Sequence, residues 1–434
     1  MTDRSGDLKS RLRRLRGQTT AGEEGQDGVA ATARPSLAER VRRLSIGRGP
    51  TARAAEPCVE TLVEALGAEP IAPGILRIER HLAPSQRHGR ASLGPVAGSE
   101  LKTLSAFGWI SPDLASAARV DARLVCLDTE TSGLSGGTGT WAFLTGMLRA
   151  TPQGWTLRQY LLTRLDAEPA YLEAIASELR DAELVVSYNG LSFDLPLLAT
   201  RFRLVGQANP LADLPHLDLL WPVRRAFGRV WPDCRLASVE QRLLGFERAD
   251  DLPGAEAPAA WLAWLHAGRI EPLGGVLRHN RWDLASLAAL IPRLLQVYED
   301  PGAFAADVRA VAAHHVSRGE ADRALRLLGA ERARLDRAGW LDLARLHRRR
   351  GDWAEARAIW ESLAEVGEAT ACLELAKYYE HRAHDIARAL VFASALPPGP
   401  STEARRARLV AKLEAAAWTD ALGEADAAPA ALNR

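Results

Sequence analysis

Long apolar runs are missing from this chain. Nowhere do 18 apolar residues follow one another, which argues against a membrane-spanning helix. The opening stretch MTDRSGDLKSRLRRLRG is charged and lacks the apolar core of a signal peptide. The expectation is therefore a soluble, cytoplasmic protein with no membrane partner. Cysteine is scarce: Cys58, Cys126, Cys234 and Cys372 stand far apart, never as C-x-x-C. That spacing points to a reducing compartment and away from a cysteine-based zinc site. No G-K-[ST] occurs, so there is no phosphate loop of the nucleotide-triphosphatase kind. Lysine is nearly absent too, with four in the chain. Arginine supplies the other basic residues, so the twelve basic against six acidic residues in 1–53 read as coding bias in a solvated tail rather than a nucleic-acid arm.

What remains is a globular composition, 47% hydrophobic and 25% charged, on 434 residues, more than one hydrophobic core normally serves. Residues 1–56 form a basic region without apolar period, expected to be mostly disordered, with a short helix at SLAERVRRLS. An accessory segment, 57–119, mixes a helical pattern with the strand GILRIER and is expected to pack on the next domain.

From residue 120 to 299 the pattern reads strand, strand, strand, helix: RLVCLDTE, TWAFLTGML, WTLRQYLLT and EPAYLEAIASELRD. A further strand, AELVVSYNG, and several helices follow. This is an α/β domain with a mixed sheet and flanking helices, of the ribonuclease H type. Beyond residue 300 strand signals stop, and RGEADRALRLL, RGDWAEARAIW and AHDIARALVFA recur 32 and 33 residues apart. That period fits tetratricopeptide-like helical repeats over 300–396, an all-α domain expected to bind a protein partner, closed by a helix and tail, 397–434.

The stretch LDTETSGLSGGTGTWAF poses a choice between carboxylates and glycines. Its G-T-G-T-W-A string matches a dinucleotide-binding turn only if a helix follows, and a β-branched, aromatic strand pattern follows instead. Gly136, Gly137 and Gly139 then belong to a hairpin. Asp128 and Glu130, two apart on a strand, project from one face. Asp194 follows a buried strand and a turn, in the first turn of a helix, and His279 and Asp283 stand one helical turn apart. Four acids with a histidine beside the last suit two hard divalent ions, Mg²⁺ or Mn²⁺, that clamp the attacking water and the leaving oxygen of a phosphodiester.

The motifs LDTETSGL, YNGLSFDLPLL and HNRWD resemble those of the DEDD 3′–5′ exonucleases and, within them, the bacterial YprB-like ribonuclease H-fold domain. The resemblance implies metal-ligand roles for Asp128, Glu130, Asp194 and Asp283, a base or water-orienting role for His279, and a packing role for Phe193 beside its acid. Three residues separate His279 from Asp283, the spacing at which one branch of that family carries tyrosine, so both roles of His279 stay open. Asn189, Phe193 and Asn280 are the candidate contacts to a single-stranded nucleic acid. The alternatives are a catalytically silent nucleic-acid-binding or scaffold protein and a structure-specific endonuclease. His216 and Asp218 read as satisfied element ends, and Trp221, Trp231, Trp261 and Trp264 as packing residues. Arg224, Arg225 and Arg229 are candidate phosphate contacts.

Overall fold

The computed structural model describes residues 58–94, 98–111, 124–133, 138–151 and 153–426, all within the compact unit Ala55–Arg434. The expected N-terminal region 1–56 with its short helix, residues 112–119, Gly136 and Gly137, and the tail from 427 lie outside the described residues.

The elements run in order α1 (Val59–Leu66), β1 (Glu69–Ala72), β2 (Ile75–Leu82), β3 (Arg87–His88), β4 (Ala91–Ser92), α2 (Gly98–Ala106), β5 (Leu124–Thr131), β6 (Ala142–Thr151) and β7 (Gly154–Leu162). Then come α3 (Glu168–Leu179), β8 (Leu184–Ser187), α4 (Asp194–Leu204), β9 (His216–Asp218) and α5 (Leu220–Phe227). A short α6 (Leu236–Val239) widens into a π turn at Glu240–Leu244, followed by α7 (Ala257–Ala267) and the 29-residue α8 (Glu271–Glu299). Seven strands form one mixed sheet in the order β1-β2-β7-β6-β5-β8-β9, and β3 and β4 make a separate small hairpin. The accessory segment thus extends the sheet itself, because β2 pairs antiparallel with β7 along its whole length. β5 pairs antiparallel with β6 and parallel with β8, so a strand follows the glycines, as the apolar pattern predicts.

β5 is central and buried on both faces, which is why its sequence reads as the unbroken run LVCL. Leu124 and Cys126 join the core on one side of the sheet, and Val125 and Leu127 the core on the other. Each such side chain contributes roughly 1.5–3 kcal/mol when buried, which offsets part of the cost of the acids that continue the strand. By the same alternation Asp128 and Glu130 share the parity of Leu124 and Cys126. Helix α8 joins both cores: Leu273, Val276 and Leu277 pack in the second, and residues from Leu284 to Tyr298 in the first. The changeover falls on the turn that carries His279 and Asp283.

The remaining helices are α9 (Val308–Ser317), α10 (Ala321–Ala330), α11 (Arg337–Arg350), α12 (Trp353–Glu365), α13 (Ala369–His381), α14 (Ile386–Ser394) and α15 (Pro400–Asp426). Consecutive antiparallel pairs repeat the 32- and 33-residue period, and Ala324, Ala356 and Ala389 occupy the same position of α10, α12 and α14 with no exposed surface. Only a side chain that small lets paired helices approach so closely. The array does not start from a bare edge: Val311 and Leu327 belong to the core of the sheet domain, and His314 Nε2 lies 2.7 Å from the Phe107 carbonyl oxygen.

Candidate active site

Three chain segments bring four carboxylates to the end of β5. Asp128 and Glu130 come from the strand itself, Asp194 from the first turn of α4, and Asp283 from α8. Burial raises the pKa of Asp128, and the charges of Asp283, Asp194 and Glu130 raise it further. Burial likewise lifts Glu130 above the usual carboxylate range, with Asp283 and Asp194 adding to the shift. Burial moves Asp194 up to about 6, against hydrogen bonds from Thr129 that favour its ionised form. Such mutual repulsion shows that the four groups sense one another, which the sequence pattern alone could only suggest.

Each acid has its own support. Thr129 donates its backbone N–H to Asp194 Oδ1 at 3.1 Å, and its hydroxyl to the same oxygen. Asp194 also depends on the turn before it, where Asn189 takes the left-handed φ of 66°. The buried Asp218 holds that turn by accepting the N–H of Asn189 at 2.7 Å, of Leu191 at 3.2 Å and of Leu220 at 3.0 Å. Ser187 hydroxyl accepts the Gly190 N–H at 3.1 Å and meets His216 Nε2 at 2.9 Å. His216 and Asp218 are therefore structural supports of the second motif, more than the element ends that the sequence suggested.

Two expected substrate contacts have different places. Asn280 has no exposed surface. It donates Nδ2 to Asp128 Oδ2 at 2.8 Å and accepts Gln159 Nε2 at 2.8 Å, so it holds an acid from beneath and does not contact a strand in the cleft. Gly146, opposite Asp128 on β6, makes the space: a Cβ there would fall 2.0 Å from Asn280 Oδ1. Phe193 departs in the other direction, 58% exposed where a packing residue was expected. It adjoins Asp194 in the chain, and Leu191, two residues earlier, is exposed as well. Of the tryptophans, Trp261 and Trp264 are core residues and Trp231 stacks on Phe227, while Trp221 is exposed with Arg224 over its ring. Arg225 reaches the Tyr298 hydroxyl at 3.4 Å, so its guanidinium faces the packed interior.

The network around Asp283 has no signature in the sequence. Arg248 donates to both oxygens of Glu240 at 2.7 Å, to Asp251 Oδ2 at 3.2 Å, and to Asp283 Oδ1. Burial opposes the charge of Arg248, and Glu240 and Asp283 outweigh burial to hold its pKa above the ordinary arginine value. Fully buried Glu240, in the π turn, also accepts the Ser286 hydroxyl, which meets His88 Nε2 at 2.6 Å. Asp251 Oδ1 lies 2.8 Å from His279 Nδ1, and Arg248 Nη1 lies 3.3 Å from the same nitrogen; because an ionised carboxylate only accepts, Asp251 selects the tautomer with the proton on Nδ1. This leaves Nε2 as the free nitrogen of the ring, 3.6 Å from Asp283 Oδ2.

The donor chemistry fits hard divalent cations: oxygen ligands only, buried or half-buried, and with mutual repulsion that bound positive charge would relieve. Among the described residues no three of these groups close into a formed ligand shell, and Asp283 is turned to Arg248.

Residues 125–295 match the RNase_H superfamily, a span that contains all four carboxylates. A family B DNA polymerase from Pyrobaculum calidifontis aligns over 45% of this chain and 29% of its own, at 16% identity and a TM-score of 0.32, too distant to carry an argument. YprB of Bacillus subtilis (strain 168) is 32% identical over 318 residues, 70% of this chain and 76% of that protein. With identity sustained over that length, the chain belongs to the YprB family, an RNase_H superfamily domain followed by a helical region.

Proposed function

We propose that this protein is a divalent-metal-dependent 3′–5′ exonuclease that hydrolyses single-stranded nucleic acid. The observation that carries the reading is the set of four carboxylates gathered from three separate segments, Glu130 and Asp194 buried and Asp128 and Asp283 half-buried, with the charges of Asp283 and Asp194 raising the pKa of both Asp128 and Glu130. No fold benefits from such a set unless a cation joins it. Asp128, Glu130, Asp194 and Asp283 would hold two Mg²⁺ or Mn²⁺ ions. Bound there, the metals supply Lewis acidity and lower the pKa of an attacking water.

The chain's own residues do the rest. Asn280 and Thr129 fix the rotamers of Asp128 and Asp194, so these acids need no rearrangement. Asp251 holds His279 with Nε2 free beside Asp283, the orientation that lets an imidazole accept a proton from water. Phe193, exposed at the rim, stacks on a terminal base, the exposed Leu191 gives it an apolar neighbour, and Asn189 contacts the strand beside them.

One observation favours a second reading. Arg248 neutralises Asp283, as expected of a nucleic-acid-binding protein of this fold that has lost turnover. End-labelled DNA and RNA oligonucleotides, incubated with Mn²⁺, Mg²⁺ or chelator, decide between the two. Metal-dependent shortening from the 3′ end supports the exonuclease, binding without cleavage supports the silent protein, and internal cuts on a strand with a blocked 3′ end identify an endonuclease.

A further inference from the structure

The charge of the repeats is divided. Residues 308–350 carry eleven arginines against five carboxylates, whereas residues 351–426 carry thirteen carboxylates against eight basic residues. Coding bias towards arginine acts on the whole chain and does not produce that reversal between neighbouring repeats. The carboxylates of the basic part are also largely committed. Asp307 and Asp336 accept backbone N–H groups at the starts of α9 and α11, and Asp342 pairs with Arg309 and Arg345. Among the described residues, Arg323, Arg326 and Arg349 have no carboxylate within ion-pair distance.

Three separate cavities border these helices, and arginines line each of them. A cavity of about 680 Å³ is bordered by Arg229, Arg309 and Arg334, with Asp307, Glu331 and Asp336 between them. Arg309 also borders a smaller hollow with Arg345 and Arg349. Arg349 in turn borders a third cavity, about 430 Å³, where Arg323, Arg326, Arg349 and Arg350 outnumber Glu320 and Asp322. The row of cavities reaches the sheet domain through α5. That helix starts two residues after Asp218, the clasp of the Asp194 turn, and is about 12 Å long. It carries exposed Trp221 with Arg224 at its front and leads to Arg229, 78% exposed, at the border of the first cavity.

We infer that these cavities together make a groove over α9, α10 and α11 that binds the phosphodiester backbone of a long single strand whose 3′ end lies at the acid site, with α5 as the bridge between them. The inference rests on the proposed exonuclease reading. From its sequence the repeat array is expected to take a protein; the arginine excess over α9 to α11 and the succession of cavities along it favour a polyanionic strand instead. Arg323, Arg326 and Arg349, which have no carboxylate within ion-pair distance among the described residues, suit this role, because such side chains hold phosphates without reading bases, and an exonuclease must accept any sequence.

The test uses the full-length protein with Arg326→Glu and Arg349→Glu combined, and Arg382→Glu with Arg388→Glu on the acidic repeats as control. Affinity for a fluorescent 40-nucleotide strand is measured in chelator across a salt series, and metal-dependent cleavage is measured on 6- and 40-nucleotide strands. The groove variant is expected to bind the long strand about tenfold or more weakly, with the slope of log affinity against log salt smaller by roughly 1.4. Its cleavage of the short strand stays at the wild-type rate, and the control changes nothing.

An unchanged affinity and slope in the groove variant would overturn the inference. So would equal losses on both strand lengths, which mean damage to the fold, or retention of poly-glutamate in place of the strand, which makes an acidic protein the occupant. Binding is read without metal, so the two proposals separate. Strand binding through these arginines with no cleavage defeats the exonuclease and leaves the groove, and cleavage with unaltered binding does the reverse.

Discussion

Buried carboxylates occur at two ends of this molecule in opposite surroundings. Glu380, on α13, is 3% exposed and accepts Arg405 at 3.1 Å, Arg408 at 2.9 and 3.0 Å, and Lys412 at 2.8 Å from α15. The hydrogen bond from Arg408 leads the causes that outweigh burial and hold its pKa down to about 2. At the end of β5 the acids outnumber the cations, and Asp194 moves up to about 6. Burial is common to both, so the ratio of partners decides the sign. The satisfied site fastens the last helix of the array, and the unsatisfied one is held in place by Asn280, Thr129 and Asp218 against its own repulsion.

The strongest way to break this contrast is Asp194→Asn. Hydrolysis should fall to background in an end-labelled assay, while Thr129 still finds an acceptor. In chelator at pH 7 the variant should melt at a higher temperature than the wild type. A carboxyl with a raised folded pKa destabilises increasingly as pH rises from its ordinary 3.8 to about 6, so the two melting curves should converge below pH 4. Undiminished cleavage would remove Asp194 from the metal site.

His279→Ala comes next, with a rate lower by roughly 10²- to 10⁴-fold and a flattened acidic limb of the pH–rate profile. A small loss with the profile intact would mean that His279 only orients water.

The smallest effect is expected from Glu380→Ala, which should cost the fold about 1–2 kcal/mol at pH 7, because its partners remain partly hydrated. Its folded pKa is depressed, so its contribution is complete above pH 4.5 and disappears as pH falls towards 2. Chemical denaturation at pH 7 and pH 3 measures the difference, and cleavage of short oligonucleotides should not change.

The strands were legible because β5 to β8 are buried apolar runs ended by turns, and Asp128 and Glu130 because a strand alternates its faces. The repeats were legible through a 32-residue period and an alanine that recurs with it. Asn280 was not: a polar residue on a helix between His279 and Asp283 reads as cleft-facing until the hole at Gly146 is seen. Arg248 and Asp251 lie on an irregular stretch between α6 and α7, where no period reports facing, and Glu240 looks like an ordinary helical glutamate unless the π turn is known. Phe193 beside its acid could be read as packed or exposed, and only coordinates separate the two.

The hole at Gly146 bears on how variants of this protein are judged. A single added methyl group in Gly146→Ala has no room beside the Asn280 amide, which must leave and release Asp128. Every acid of the motif survives such a change, so a genome survey that scores activity by the four carboxylates would count the allele as functional. Because Leu284 Cδ1, 2.6 Å from the added carbon, must shift as well, the melting temperature should fall, and cleavage at least tenfold below wild type in protein still folded at the assay temperature would establish position 146 as a lesion hidden from motif-based screening.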